Sequence, residues 1–192
     1  MTIQLNDISV SIDGTSIFSH LNWEISSDDF WALTGPDGSG KTLLLRILLG
    51  LEKPDSGRVR LLGDYKYDRV NAGVVFQEDR LCEQFSAAEN VAMVNERLSE
   101  RVASEELVRL IPSNLIDVPV STLDPVMRRR ICIVRACAIP SDILLMDEPF
   151  RGMSPEEAKE ALRYIRDKAG HKGIVIAQRT QEGLEMCRSM KL

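Results

Sequence analysis

The stretch Phe30-Trp31-Ala32-Leu33-Thr34-Gly35-Pro36-Asp37-Gly38-Ser39-Gly40-Lys41-Thr42 decides the fold. Its first five residues are apolar enough for a buried strand. The next eight fit the phosphate-binding pattern G-x-x-x-x-G-K-[ST] at every fixed position. The glycines let the loop turn tightly, so that successive backbone N–H groups point inward at phosphate oxygens. Lys41 adds a point charge for the terminal phosphates, and the Thr42 hydroxyl is a magnesium ligand by type. The run from Lys41 to Leu49, rich in Leu and Ile, reads as a helix whose N-terminus favours an anion. Strand, loop and helix in that order are the context the pattern needs.

Outward from this unit the chain reads as α/β. Ile3 to Ile12 alternates apolar and polar residues and ends at the turn signal Asp13-Gly14. Leu21–Ile25, Arg58–Leu62 and Gly73–Phe76 read as further strands. From about 78 to 138 the pattern becomes helical. Ser86-Ala87-Ala88-Glu89 is a capping box, Ser104–Leu110 a short helix and Met127–Ala138 a longer one. Ile143-Leu144-Leu145-Met146 is a continuous apolar run, as a central parallel strand would be. Ser154-Pro155-Glu156-Glu157 starts another helix, and Ile174–Ala177 is a last strand.

Asp147 and Glu148 follow the central strand directly. An Asp at that strand end is placed for a magnesium shell, and the adjacent Glu for polarising an attacking water.

These residues together resemble the nucleotide-binding domain of ATP-binding cassette (ABC) transporters. Gly35–Thr42 matches that family's Walker A motif. Val75-Phe76-Gln77-Glu78 matches its Q-loop, and Ile143–Phe150 its Walker B motif with the catalytic glutamate at Glu148. The resemblance implies a P-loop NTPase three-layer core with an N-terminal antiparallel β subdomain and an inserted α-helical subdomain, spanning 1–192 as one domain. It implies ATP bound by Gly35 to Thr42 and by Gln77, and Mg2+ held by Thr42, Gln77 and Asp147. Implied partners are a second nucleotide-binding domain, in a homo- or heterodimer, and transmembrane permease subunits. The protein would then sit at the inner face of the cell membrane through the permease.

The resemblance has gaps. The family's signature, usually LSGGQ, aligns with Leu123-Asp124-Pro125-Val126-Met127. A carboxylate replaces the hydroxyl, and Pro125 has no N–H to give a phosphate. Gln178 aligns with the family's switch histidine, and an amide cannot carry the charge of an imidazolium. Ser154 stands in place of the D-loop aspartate, and Ile12 in place of the aromatic that stacks on adenine. An alternative is therefore a regulatory cassette that binds ATP, hydrolyses little and pairs with a competent one.

The 192 residues carry a formal net charge of −5. That balance argues against a nucleic-acid binder. It also favours reading Arg128-Arg129-Arg130 as a solvated helix face. No apolar run approaches a membrane span, and the start is not a signal peptide, so the chain is expected in the cytoplasm. The four cysteines have no metal-site spacing and read as reduced thiols.

Overall fold

The fold is that of a computed structural model, which describes residues 1–63 and 69–192. Alternation builds the first sheet. Ile3, Leu5, Ile8 and Val10 of β1 (Thr2–Ile12) are buried. The alternation slips between Leu5 and Ile8, where the register shifts and Asp7 takes a positive φ of 57°. β2 (Thr15–Ser26) pairs antiparallel with β1. Asp13 and Gly14 join the two strands with φ of 50° and 77°, the double-positive turn that suits strand twist. β2 begins well before the expected Leu21, because Thr15, Ser16 and Phe18 pair with the end of β1 although Thr15 and Ser16 face solvent. β4 (Ser56–Leu62) covers the other edge of β1.

The second sheet is parallel. Its strands are β3 (Phe30–Thr34), β5 (Ala72–Val75), β6 (Ile143–Asp147), β7 (Gly173–Gln178) and β8 (Arg188–Lys191), in the order β5-β6-β7-β3-β8. Both faces of β3, β5, β6 and β7 are covered, which is why those four strands are nearly continuously apolar, while β8 is a mostly exposed edge. Leu33, Leu145, Val175 and Ala177 face α1 (Lys41–Leu48) and the first sheet. Ala32, Leu144, Met146 and Ile176 face the helices on the other side. Trp23 of the first sheet meets Trp31 of the second edge to face, with centroids 5.5 Å apart. Such a pair adds about 0.5–1.5 kcal/mol beyond area burial.

The helical layer contains α2 (Ala87–Ala92), α3 (Glu100–Leu107), α4 (Pro125–Ala138) and α5 (Pro155–Ala169). The capping boxes at Ser86/Glu89 and Ser154/Glu157 both form. α3 starts earlier than the expected Ser104. Ser99 supplies the cap, while the Ser104 hydroxyl donates back to the Glu100 carbonyl inside the helix at 2.8 Å. α4 lies close against β5: a Cβ on Gly73 would come within 2.2 Å of the Ala136 carbonyl oxygen. Among the described residues no helix is long and apolar enough to cross a membrane.

Candidate functional site

β3 delivers the chain into the Gly35–Gly40 loop, and α1 receives it. Gly38 and Gly40 take φ of 80° and 93°. At Gly40 a Cβ would also lie 2.6 Å from the Phe18 ring, so both the conformation and the space require glycine. Gly40 caps α1 without any side-chain hydrogen bond. The amides of the first turn are thus left for a partner outside the helix. Lys41, only 6% exposed, donates to the carbonyls of Gly35 at 2.7 Å and Pro36 at 2.8 Å. The Ser39 hydroxyl is buried in the loop without a hydrogen-bond partner among the described residues.

The acidic strand end lies opposite. Thr42 Oγ1 donates to Asp147 Oδ2 at 2.6 Å. Asp147 is buried, and burial pushes its carboxyl above the ordinary carboxylate range. The Thr42 bond opposes this, the neighbouring Glu148 charge reinforces it, and Arg129 and Lys41 pull it down. Glu148 has φ of 47°, left-handed for a residue with a Cβ. Such a conformation costs about 1–3 kcal/mol. It is held by a bond from the Glu148 amide to the Ala177 carbonyl at 2.8 Å and by Arg129 on the Glu148 carbonyl.

Gln77 lies just past β5. It shares with Asp37 and Glu148 the walls of two adjoining clefts of about 580 and 840 Å³. The smaller runs past Lys41 and Thr42 to Ile12, which is half exposed. The larger runs toward Gln178 and the outer face of α5. The loop, Gln77 and Glu148 therefore line the adjoining clefts, Asp147 is buried against Thr42 beside them, and Ile12 marks the far end of the smaller one. These are hard oxygen donors beside an open helix N-terminus, the donor set that suits Mg2+ and phosphate.

Arg128, Arg129 and Arg130 do not form a solvated face. Arg129 is 1% exposed. Its guanidinium donates to the Phe76 carbonyl at 2.6 Å, to Asp79 at 3.1 Å and to the carbonyls of Asp147 and Glu148. It spans the end of β5 and the end of β6, so it positions Gln77 and both acids at once. Arg130 is buried as well, joining the Leu110 carbonyl to Glu157 at 3.0 Å and Glu160 at 3.3 Å. Arg128 pairs with Glu83 at 2.6 Å. Sequence reading missed these residues because net charge says nothing of which arginine finds carbonyls to bind. The available signal was periodic: Arg129 falls on the same helix face as the apolar Cys132, Ile133 and Ala136.

The remaining aligned positions are engaged locally. Both amide hydrogens of Gln178 are committed, to Thr180 O at 2.7 Å and Glu182 O at 3.0 Å. At Leu123–Met127, Asp124 caps α4 by accepting from the Met127 amide at 2.8 Å, and Pro125 opens the helix. The Ser154 hydroxyl is spent in the α5 capping box.

Comparison with known proteins gives the family and the fold. Residues 18–151 match the family described as ABC transporter. The chain is 33% identical, over 97% of its length, to the sulfate/thiosulfate import ATP-binding protein CysA of Mesostigma viride, of which it covers 57%. It is 30% identical, over 96% of its length, to the ribose import ATP-binding protein RbsA of Hahella chejuensis, covering 41% of it. It thus spans about half the length of such relatives. The dimeric bacterial ABC transporter cassette MJ0796 superposes with a TM-score of 0.85 at 22% identity, covering 99% of this chain and 94% of that one. That likeness shows a shared fold.

Proposed function

This chain belongs to the ABC transporter family, and on that premise we propose that it is an ATP-binding subunit that hydrolyses Mg-ATP to power transport through a membrane permease. The observation that carries the reading is the Thr42–Asp147 contact at 2.6 Å, with Glu148 next in the chain and the open phosphate loop alongside. Three strand ends converge there, and nothing about a structural core requires a buried acid above its ordinary range.

In this reading residues 1–192 act as one cassette. The loop amides bind the phosphates, and Lys41 leaves the Gly35 and Pro36 carbonyls to meet the terminal ones. Thr42, Asp147 and Gln77 would hold Mg2+, which when bound would neutralise charge on the phosphate oxygens. The base of the adenosine packs on Ile12 without stacking. Glu148 accepts a proton from a water that attacks the terminal phosphorus in line, and ADP leaves. The strained backbone of Glu148 aims the carboxylate, and Arg129 fixes that backbone to the end of β5.

Partners are a second cassette and permease subunits, which would place the protein at the cytoplasmic face of a membrane. The two import relatives carry different cargoes in their names, so the cargo belongs to the permease rather than to this fold. A second reading, a cassette with little hydrolysis of its own, is favoured by one observation: the α4 terminus is closed by Asp124 and Pro125.

Titration calorimetry tests the assignment. The protein should bind Mg-ATP, and Lys41→Ala should lose that binding. Equal affinity in both proteins would overturn it.

A further inference from the structure

Gln178 and its neighbour Arg179 leave β7 between the two strands that carry the site. β7 pairs with β3, whose end opens into the phosphate loop, and with β6, whose end carries Asp147 and Glu148. Thr34, the last residue before the loop, is the register partner of Gln178. Whatever follows Gln178 therefore stands at the carboxyl ends of parallel strands, beside the crevice where ligands of such sheets bind.

Gln178 has no donor left for a ligand, since its amide nitrogen has two hydrogens and both are given to Thr180 and Glu182. The free atom, its carbonyl oxygen, is an acceptor and does not suit a phosphate. The next residue carries the opposite chemistry. Arg179 is 70% exposed, and its Nη2 lies 2.9 Å from Oδ2 of Asp37, inside the phosphate loop. The larger cleft is lined by Asp37, Gln77, Glu148, Gln178 and Arg179 together. A carboxylate in a loop built for phosphate is repulsive unless a cation answers it, and Arg179 is that cation.

We propose that Arg179 is the residue that distinguishes ATP from ADP, exchanging Asp37 for the terminal phosphate when ATP binds. The inference rests on the nucleotide reading of the site. An exposed ion pair is weak, so it yields to a ligand of higher charge. A phosphate oxygen pair matches the planar guanidinium fork as well as a carboxylate does, and carries more negative charge. ADP ends one phosphate short of this position and leaves the Arg179–Asp37 pair in place. The tether of Gln178 holds the loop so that Arg179 faces the cleft.

The test is the ratio of affinities for a non-hydrolysable Mg-ATP analogue and Mg-ADP, by titration calorimetry, in three proteins. Arg179→Ala should weaken the ATP analogue about tenfold, the scale of one charge-assisted contact at an open site, and change ADP little. Asp37→Asn should raise the ratio above that of the parent, because Arg179 is then released in advance. Loss of both ligands in equal measure in Arg179→Ala, or an unchanged ratio, overturns the inference while the nucleotide assignment stands. Failure of the parent to bind either ligand overturns the assignment and the inference with it.

Discussion

α1 and α4 begin in opposite ways. α1 starts at a left-handed glycine that gives its first turn no side-chain partner, and a lysine follows. α4 starts at Asp124, whose carboxylate accepts from the Met127 amide, and its first residue is a proline with no N–H. The two ends have the same backbone dipole, yet one is left open for an anion and the other is sealed by its own side chain. A helix start becomes a ligand site only if the sequence declines to cap it. α4 gives its own subunit something else: one turn further on, Arg129 reaches into the core and holds the ends of β5 and β6.

The strongest way to break that contrast is to remove Arg129. Arg129→Met leaves the carbonyls of Phe76, Asp147 and Glu148 and the Asp79 carboxylate without their donor. Losing one partner of a buried charge network costs about 3–5 kcal/mol, so the urea midpoint should fall accordingly. Unchanged stability would mean that α4 does not support the site in its own subunit.

Next in size is the open end's chemistry. Glu148→Gln should keep Mg-ATP binding and slow hydrolysis in the assembled complex by ~10²-fold, the scale of a general base. A variant as fast as the parent would remove Glu148 from that role.

Opening the sealed end is a smaller effect with the opposite sign. Asp124→Ser combined with Pro125→Gly and Val126→Gly returns N–H donors to the start of α4. ATPase turnover of the protein alone should rise roughly tenfold or more, since one transition-state donor is worth up to about 3 kcal/mol. Brisk, cooperative hydrolysis by the unmodified protein would show that the sealed end is no obstacle.

The smallest effect is a pH dependence. Burial raises the Asp147 carboxyl in the folded state above its ordinary 3.8. The folded protein then holds that proton more tightly than the unfolded chain does. The associated stability is complete below 3.8 and is lost as pH rises through the higher folded value. At pH 7, above the unfolded value, this site costs the fold stability that an uncharged side chain would not. Asp147→Asn should melt higher than the parent at pH 7, and the difference should shrink as pH falls toward 3.8. Mg2+ should then raise the melting temperature of the parent and not of the variant. A gap that widens in acid would contradict this.

The strand-loop-helix unit was legible because each of its residues answers a local demand: a buried strand, a tight turn, an open helix start. The α2 and α5 caps were legible for the same reason. β8 was not foreseen. Arg188-Ser189-Met190-Lys191 is an edge strand, mostly exposed, with no apolar alternation, and only its pairing with β3 makes it a strand. The buried arginines were misread because their partners, main-chain carbonyls and acidic side chains, lie far along the chain. Composition records the charge of a side chain, while only the fold decides what surrounds it.

The left-handed backbone at Glu148 has a consequence for how this protein can change. A residue without a Cβ would occupy that φ of 47° at no cost, and Asn would occupy it more easily than Glu does. Heat tolerance is therefore available by substitution at the very position whose carboxylate the proposed chemistry uses. Laboratory evolution for thermal resistance alone should return Gly or Asn at 148 among its first gains, and lineages selected for working turnover should never fix them.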